Sequence, residues 1–192
     1  MDRKDFIKTF GNLCAGAGIL GCGCGRALAL GQDATKETPL PEKFEWAQIW
    51  VKRLFDILDR ELDSTTRTRI MEEMGRTCYE GSIQGLTIKP RSIDELMAWM
   101  NKQNGEDSIR RDGNVLFFQF TRNPAGLWVT DGYCLCPLVE KGPEGLSGTY
   151  CQCSVGYVRN MFSMFLGKPV KVELLESLKR GGKTCRFKVM FA

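Results

Sequence analysis

Cysteines are the residues best suited to chemistry in this chain of 192 residues, because it contains nine cysteines and no histidine. The lack of histidine excludes Ser-His-Asp catalysis, Cys-His catalysis and every histidine metal ligand. Two Cys-x-Cys pairs, Cys134/Cys136 and Cys151/Cys153, are separated by residues 137–150. In an extended segment, residues two apart point to the same face, so each pair is expected to present two sulfurs together. Four thiolates arranged in this way predict a tetrahedral metal site, with zinc as the first choice and iron as the alternative.

Two further cysteines are expected near this site. Cys185 lies on a predicted strand that could neighbour it, and Cys78 lies on a predicted helix that could cover it. Two other interpretations stay open. In an oxidising compartment the six cysteines after residue 29 could form three disulfides, and the sequence does not choose among the pairings. Some of them could instead be ordinary buried apolar side chains.

The first 29 residues have the three parts of an export signal: a basic start, an apolar stretch over residues 13–30, and small residues at 27–29. Residues 3–8 are similar to a twin-arginine signal, with Lys4 in place of the second arginine. Residues 19–22 resemble a lipoprotein box in which Cys22 would carry the lipid. Glycines and Arg26 interrupt the apolar stretch, which argues against a permanent membrane span. We therefore predict a periplasmic or extracytoplasmic protein, with a lipid anchor as an option and a cytoplasmic protein as the alternative.

The remainder of the chain predicts a linker over residues 30–41 and a single α+β domain over residues 42–192. Its helical part covers 42–104 and its sheet part 113–192. The predicted helices cover residues 42–62, about 66–79, a segment opened by Ser92, and 154–166. The predicted strands cover residues 115–120, 127–130, 170–175 and 184–191. The expected architecture is a set of N-terminal helices packed on an antiparallel sheet, with one helix between two C-terminal hairpins.

Three ordered segments, residues 150–157, 165–173 and 181–187, carry a resemblance to a known family. Together they resemble the 4-vinyl reductase-type domain and, secondarily, the thiazoline-carboxylate hydrolase-like proteins. The resemblance covers approximately residues 113–192. It implies an α+β fold that binds a small organic molecule in a pocket between helices and sheet. In some aromatic-sensing relatives it also implies a zinc site built from cysteine and a carboxylate.

The zinc ligands that the resemblance implies match this sequence only in part. Cys153 (or Cys151) matches the cysteine ahead of the helix, and Cys185 matches the cysteine of the final strand. Ser177 stands where those sensors have a further cysteine, and Glu173 and Glu176 are not clearly in register. If a metal binds, Cys134 or Cys136 is expected to replace the missing ligand.

Aromatic side chains near the predicted sheet and helix suggest a ligand pocket. The candidates are Phe118, Phe120, Trp128, Tyr157 and Phe162. The alternative interpretation is that these residues form an ordinary hydrophobic core. A nucleic-acid partner is not expected, because the net charge of +4 is dispersed along the chain.

The sequence therefore favours an exported protein that binds a small organic ligand beside a cysteine-rich metal centre. Membrane attachment is expected only through the signal or a lipid, and a homodimer is an option. One alternative is a hydrolase of a small cyclic amide or thiazoline, with Cys153, Cys185 or Glu173 as catalytic candidates or a metal-activated water. A second alternative is a structural protein held by disulfides. Whether the chain is an enzyme stays open.

Overall fold

The computed structural model describes residues 42–105, 108–121, 132–136, 138–139 and 142–191. The predicted export signal, the linker, Cys22, Trp128 and the strand at 127–130 therefore lie outside the described residues. The helices before the sheet are α1 (Glu42–Glu61), α2 (Ser64–Ser82) and α3 (Ile93–Asn104). They are followed by β1 (Ile109–Asp112), β2 (Val115–Phe120), a 3₁₀ turn (Gly148–Cys151), α4 (Gln152–Leu166), β3 (Val170–Glu176), a second 3₁₀ turn (Leu178–Arg180) and β4 (Cys185–Phe191).

Two helices begin where the sequence provides a capping side chain. The Asp63 carboxylate accepts hydrogen bonds from the backbone N–H groups of Thr65 and Thr66, at 2.9 and 3.0 Å, and so separates α1 from α2. Ser92 and Glu95 cap each other's backbone N–H groups at the start of α3. These bonds satisfy N–H groups that the first turn of a helix leaves without a partner. The predicted helix start at Ser92 is confirmed, and α2 begins at Ser64, two residues before its predicted start at about 66.

The four strands form one antiparallel sheet in the order β1-β2-β4-β3. Strand β2 pairs with β1, which precedes it across a turn in which Gly113 has a φ of +56°. The predicted partner of β2, the strand at 127–130, lies outside the described residues. The predicted C-terminal hairpin is confirmed as β3 and β4, and α4 lies between the two hairpins in the chain. The α+β architecture is therefore the expected one.

The main hydrophobic core lies between α4 and one face of the sheet. Alternate residues of β4 are buried, as the sequence predicts for a strand with one wet face. These residues are Cys185, Phe187, Val189 and Phe191. Helix α4 packs against β3 and also against α2, and α3 contacts β1, so both helices join the helical part to the sheet.

The apolar side chains that recur at helical spacing in α1 are not all buried, although such periodicity usually marks the buried face of a helix. The buried residues of α1 include Phe55 and the polar Gln48, whereas Trp46 and Trp50 are exposed. The packed face of α1 lies against a second, smaller hydrophobic cluster, which consists of Phe55, Met71, Cys134, Val139, Leu146 and Tyr150. Among the described helices, none combines the length and apolar character needed to cross a bilayer.

Candidate thiol centre

The close crossing of α2 and α4 fixes the position of the second Cys-x-Cys pair. A Cβ atom added to Gly75 of α2 would lie 1.8 Å from the carbonyl oxygen of Cys153, and one added to Gly156 of α4 would lie 1.8 Å from that of Glu72. The two backbones therefore touch, which only glycine permits at these positions. An ion pair of 2.6 Å between Arg159 and Glu72 spans the same crossing. As a result, Cys153 is held directly against α2.

Cys151 and Cys153 lie on helical structure, so the prediction that this pair is extended is wrong. The Ser147 hydroxyl accepts a hydrogen bond of 3.1 Å from the N–H of Thr149, which starts a 3₁₀ turn ahead of α4. Cys151 ends that turn, and Cys153 lies in the first turn of α4. Helical residues two apart point in divergent directions, by roughly 200° at 3.6 residues per turn. Cys151 is accordingly buried, whereas Cys153 is only partly covered.

The first pair, Cys134 and Cys136, nevertheless lies beside the second. Both pairs contact the smaller hydrophobic cluster, in which Cys134 is buried and Cys136 and Cys153 pack at the edge. The Tyr150 hydroxyl donates a hydrogen bond of 2.9 Å to the sulfur of Cys136. The Tyr150 ring packs edge-on against Phe55 of α1, with a centroid separation of 5.0 Å. Tyr150 thus joins the two pairs, a role that sequence reasoning missed although this residue directly precedes Cys151.

Cys185 completes the set of predicted metal ligands from the side of the sheet. Its thiol is buried at the start of β4 and accepts a hydrogen bond from the backbone N–H of Leu178. Cys134 and Cys151 are close enough to raise its pKa electrostatically. We call Cys134, Cys136, Cys151, Cys153 and Cys185 the thiol cluster. The exposed Cys78 lies outside it, but interacts electrostatically with Cys136.

Burial keeps three thiols of this cluster, those of Cys134, Cys153 and Cys185, protonated at neutral pH. It raises the pKa of Cys134 to about 11 and that of Cys185 to about 12, and it raises the pKa of Cys153 strongly. Neighbouring cysteines raise all three pKa values further, because two thiolates side by side repel each other. The ammonium group of Lys179 opposes this effect at Cys134 by lowering its pKa. These thiols are therefore poor nucleophiles unless a cation offsets their charge.

The thiol cluster does not form a coordination shell among the described residues. Within the described ranges, no group of three or more Cys, Asp or Glu side chains is arranged to hold a metal ion. All six cysteines of those ranges are free thiols. Binding a metal would therefore require the thiols to lose protons and some side chains to rotate inward.

The carboxylate candidates divide between two locations. Glu173 is exposed on β3 and pairs across the sheet with Lys188 at 3.4 Å, so it is not placed at the thiol cluster. Glu176 is closer to the cluster, because its charge raises the pKa of Cys185. Its carboxylate is already engaged, since it accepts a hydrogen bond of 2.7 Å from the N–H of Lys183 and pairs with Arg186 at 3.1 Å.

The aromatic residues predicted to line a pocket pack mainly on one another. Phe118 and Phe162 are buried in the main core with their rings edge-on at 5.4 Å, and Phe120 packs on Phe118 at 4.7 Å. Tyr157 packs edge-on against the buried Tyr79 at 5.2 Å. The ligand pocket stays a prediction. A cleft of about 340 Å³ lies elsewhere, at the start of α2.

The raised thiol pKa values predict that the metal-free protein loses stability in alkali. The unfolded chain releases its thiol protons near the ordinary pKa of 9.0, whereas folded Cys134 holds its proton until about pH 11. Stability is therefore full below pH 9 and falls as the pH rises towards 11, by about 1.4 kcal/mol per pH unit for one group. Chemical denaturation with a chelator and a reductant present measures this slope. Cys134→Ala should lower the slope by the share of one group, because Cys153 and Cys185 still contribute, and equal slopes in both proteins would contradict the assignment.

The geometry defines an α+β protein with a buried thiol cluster at the junction of α2, α4 and β4. The sequence matches the family of unknown function DUF6144 over residues 24–192, and the chain belongs to that family. The match includes the helices, the sheet and every cysteine of the thiol cluster. No curated protein matches the sequence.

Proposed function

We propose that the thiol cluster binds a soft metal ion, with zinc as the first choice and iron as the alternative. The observation that carries this proposal is the packing of Cys134, Cys136 and Cys153 in one hydrophobic cluster with Tyr150, with Cys151 and Cys134 near enough to Cys185 to raise its pKa. The two Cys-x-Cys pairs supply four of the sulfurs, and Cys185 is a fifth candidate. The ion would hold residues 132–136 against the start of α4, and thereby stabilise a part of the fold that has no regular secondary structure.

The electrostatics of the cluster support a cation at this place. Buried thiols that raise one another's pKa values lose this penalty when a divalent ion neutralises the thiolates. Lys179 already supplies one positive charge beside Cys134. The hydrogen bond from Tyr150 to Cys136 is of the kind that orients and tunes a metal-bound sulfur. A cluster of this composition also selects a soft metal over magnesium or calcium, which prefer oxygen ligands.

The raised thiol pKa values also bear on the alternative functions, a thiolate hydrolase and a disulfide-linked structural protein. A thiolate hydrolase needs a cysteine with a lowered pKa, whereas the pKa values of Cys153 and Cys185 are raised. The metal-free thiols therefore support this alternative less well, and a hydrolase at this site would depend on a metal-activated water. Disulfide formation is the other alternative, and it would consume the same sulfurs. We further propose an exported protein that binds a small organic ligand, on the signal-like residues 1–29 and the aromatic residues near α4.

Cobalt titration tests the metal proposal, because cobalt(II) bound by thiolates gives intense charge-transfer absorption. We expect the reduced protein to bind one cobalt ion per chain with a spectrum typical of tetrahedral sulfur ligation, and zinc to displace it. Cys136→Ser should weaken binding by at least about 100-fold, and Tyr150→Phe by about tenfold. Cys78→Ser is the matched control, since it removes a thiol outside the cluster.

Two results would contradict the proposal. One is the absence of saturable cobalt binding by the folded, fully reduced chain. The other is equal loss of affinity in Cys78→Ser and Cys136→Ser, which would show that the thiol cluster does not define the ligand set. Circular dichroism of each variant checks that the fold is retained.

A further inference from the structure

One face of α1 carries large apolar side chains that remain exposed beside the described residues. Trp46, Ile49, Trp50 and Ile57 are 64, 46, 51 and 46% exposed. The packed face of the same helix carries Phe55 and Gln48, each only 4% exposed. At 100° per residue, Trp46 and Phe55 lie about 180° apart on the helix. Rotating α1 would therefore expose one apolar face in order to bury the other. We call Trp46, Ile49, Trp50 and Ile57 the α1 stripe.

The size of the α1 stripe argues against a second copy of the chain as its partner. Four large side chains that are about half exposed offer an apolar area on the order of 400 Å². Two stripes facing each other would bury about 800 Å² of apolar side-chain surface, which by itself falls short of the ~1,200 Å² of total surface at which stable specific interfaces begin. A stripe of this size equals the largest apolar patch of a typical monomeric protein, a kind of patch that is often functional. An extended apolar phase, unlike a protein partner, would cover the α1 stripe without a surface of matching shape.

The composition of the α1 stripe and its position in the chain indicate that a lipid surface is its partner. Tryptophan prefers the boundary between lipid headgroups and acyl chains, where the ring is apolar and the indole N–H stays hydrated. Two of the four residues are tryptophans, and they lie in the first three turns of α1. The exposed Arg53 lies on the same side of the helix as Trp46 and Trp50, and its charge would face anionic headgroups.

The chain length before α1 would keep the stripe close to a bilayer. Residues 30–41 separate α1 from the apolar stretch at 13–30. Twelve residues span at most about 40 Å when fully extended. If the apolar stretch engages a membrane, α1 is confined within this distance of it, whereas a lipid on Cys22 would leave residues 23–41 as a tether of at most about 65 Å. Either tether raises the effective concentration of the stripe at the membrane.

We propose that the α1 stripe lies in the headgroup region of a lipid bilayer, so that α1 docks the folded domain onto the membrane. The helix lies along the surface and does not cross it. The proposal goes beyond the proposed metal centre and does not depend on it. It rests on the proposed export signal only for the nearness of a membrane.

Flotation of the full chain with lipid vesicles tests this proposal. The vesicles contain phosphatidylcholine and phosphatidylglycerol in a ratio of 7:3, with pure phosphatidylcholine vesicles for comparison. We expect wild-type protein to float with the mixed vesicles, and Trp46→Ser/Trp50→Ser to lower the partition coefficient by at least about tenfold. Met74→Ser is the matched control, because Met74 on α2 is 51% exposed but lies outside the stripe. We expect it to bind as the wild type does.

Each of the following outcomes would contradict the membrane proposal. Equal flotation of the wild type and the double tryptophan variant would mean that another part of the chain carries the binding, and a wild type that does not float would mean that there is none. Light scattering after gel filtration without lipid tests whether a second copy of the chain covers the α1 stripe. A wild-type dimer that becomes monomeric in the tryptophan variant would assign the α1 stripe to self-association. Flotation and light scattering are done with metal-loaded and with metal-free protein. A failure of the membrane proposal therefore says nothing against the metal proposal.

Discussion

Gly156→Ala is expected to lower the free energy of unfolding by about 3 kcal/mol or more. The added methyl group would lie 1.8 Å from the carbonyl oxygen of Glu72 and 2.6 Å from its carbonyl carbon. Both atoms belong to the backbone of α2, so no side-chain rotation relieves the overlap. The two helices would have to separate, which would remove contacts along their whole crossing and stretch the ion pair between Glu72 and Arg159. Equilibrium denaturation in urea measures the loss.

The control for this variant is another helical glycine that lacks a close neighbour. A Cβ atom on Gly81, near the end of α2, would have nothing within 4 Å. Gly81→Ala should therefore be neutral or stabilise the protein by up to about 1 kcal/mol, because alanine favours a helix more than glycine does. If Gly156→Ala changes the free energy of unfolding as little as Gly81→Ala, the backbone contact between α2 and α4 does not exist as described.

Phe162→Ala is expected to cost about 3–5 kcal/mol of stability. The Phe162 side chain is fully buried and packs edge-on against Phe118 at 5.4 Å, beneath the centre of the sheet. Removing the ring deletes its apolar contacts and leaves a cavity that the flanking α4 backbone cannot fill. Thermal and urea denaturation should both show the loss, with an unchanged far-ultraviolet spectrum at low temperature.

Leu175→Ala is the matched control, since Leu175 on β3 is 45% exposed. It should change the free energy of unfolding by less than about 1 kcal/mol. The comparison also separates the two interpretations of the aromatic residues. If Phe162→Ala leaves the stability unchanged, Phe162 lines an open pocket and not a packed core.

The sequence predicted the local structure well where one residue has a strong physical preference. Ser92 and Asp63 cap helices because their oxygens accept backbone hydrogen bonds, and β4 alternates because one of its faces is buried. The prediction that Cys151 and Cys153 are extended was wrong, and the reason lies in residues that precede them. Ser147 starts a 3₁₀ turn upstream, and helical structure then continues through both cysteines.

Long-range proximity was harder to predict than local structure. Periodicity placed α1 correctly, but it could not tell which apolar face would be packed, since Trp46 and Phe55 lie on opposite sides. The helix crossing could have been suspected from Gly75 and Gly156, because a glycine inside a helical pattern often marks a close approach. The contact between Tyr150 and Cys136 depends on tertiary packing, and no spacing in the sequence indicates it.

Native mass spectrometry of protein purified without oxygen from its own host tests the metal proposal most directly. We expect one zinc or iron ion per chain in the native spectrum, lost on denaturation, and the denatured mass of a fully reduced chain. The contradicting result is a metal-free native mass, either with all cysteines reduced or with two hydrogens missing for each disulfide formed among them.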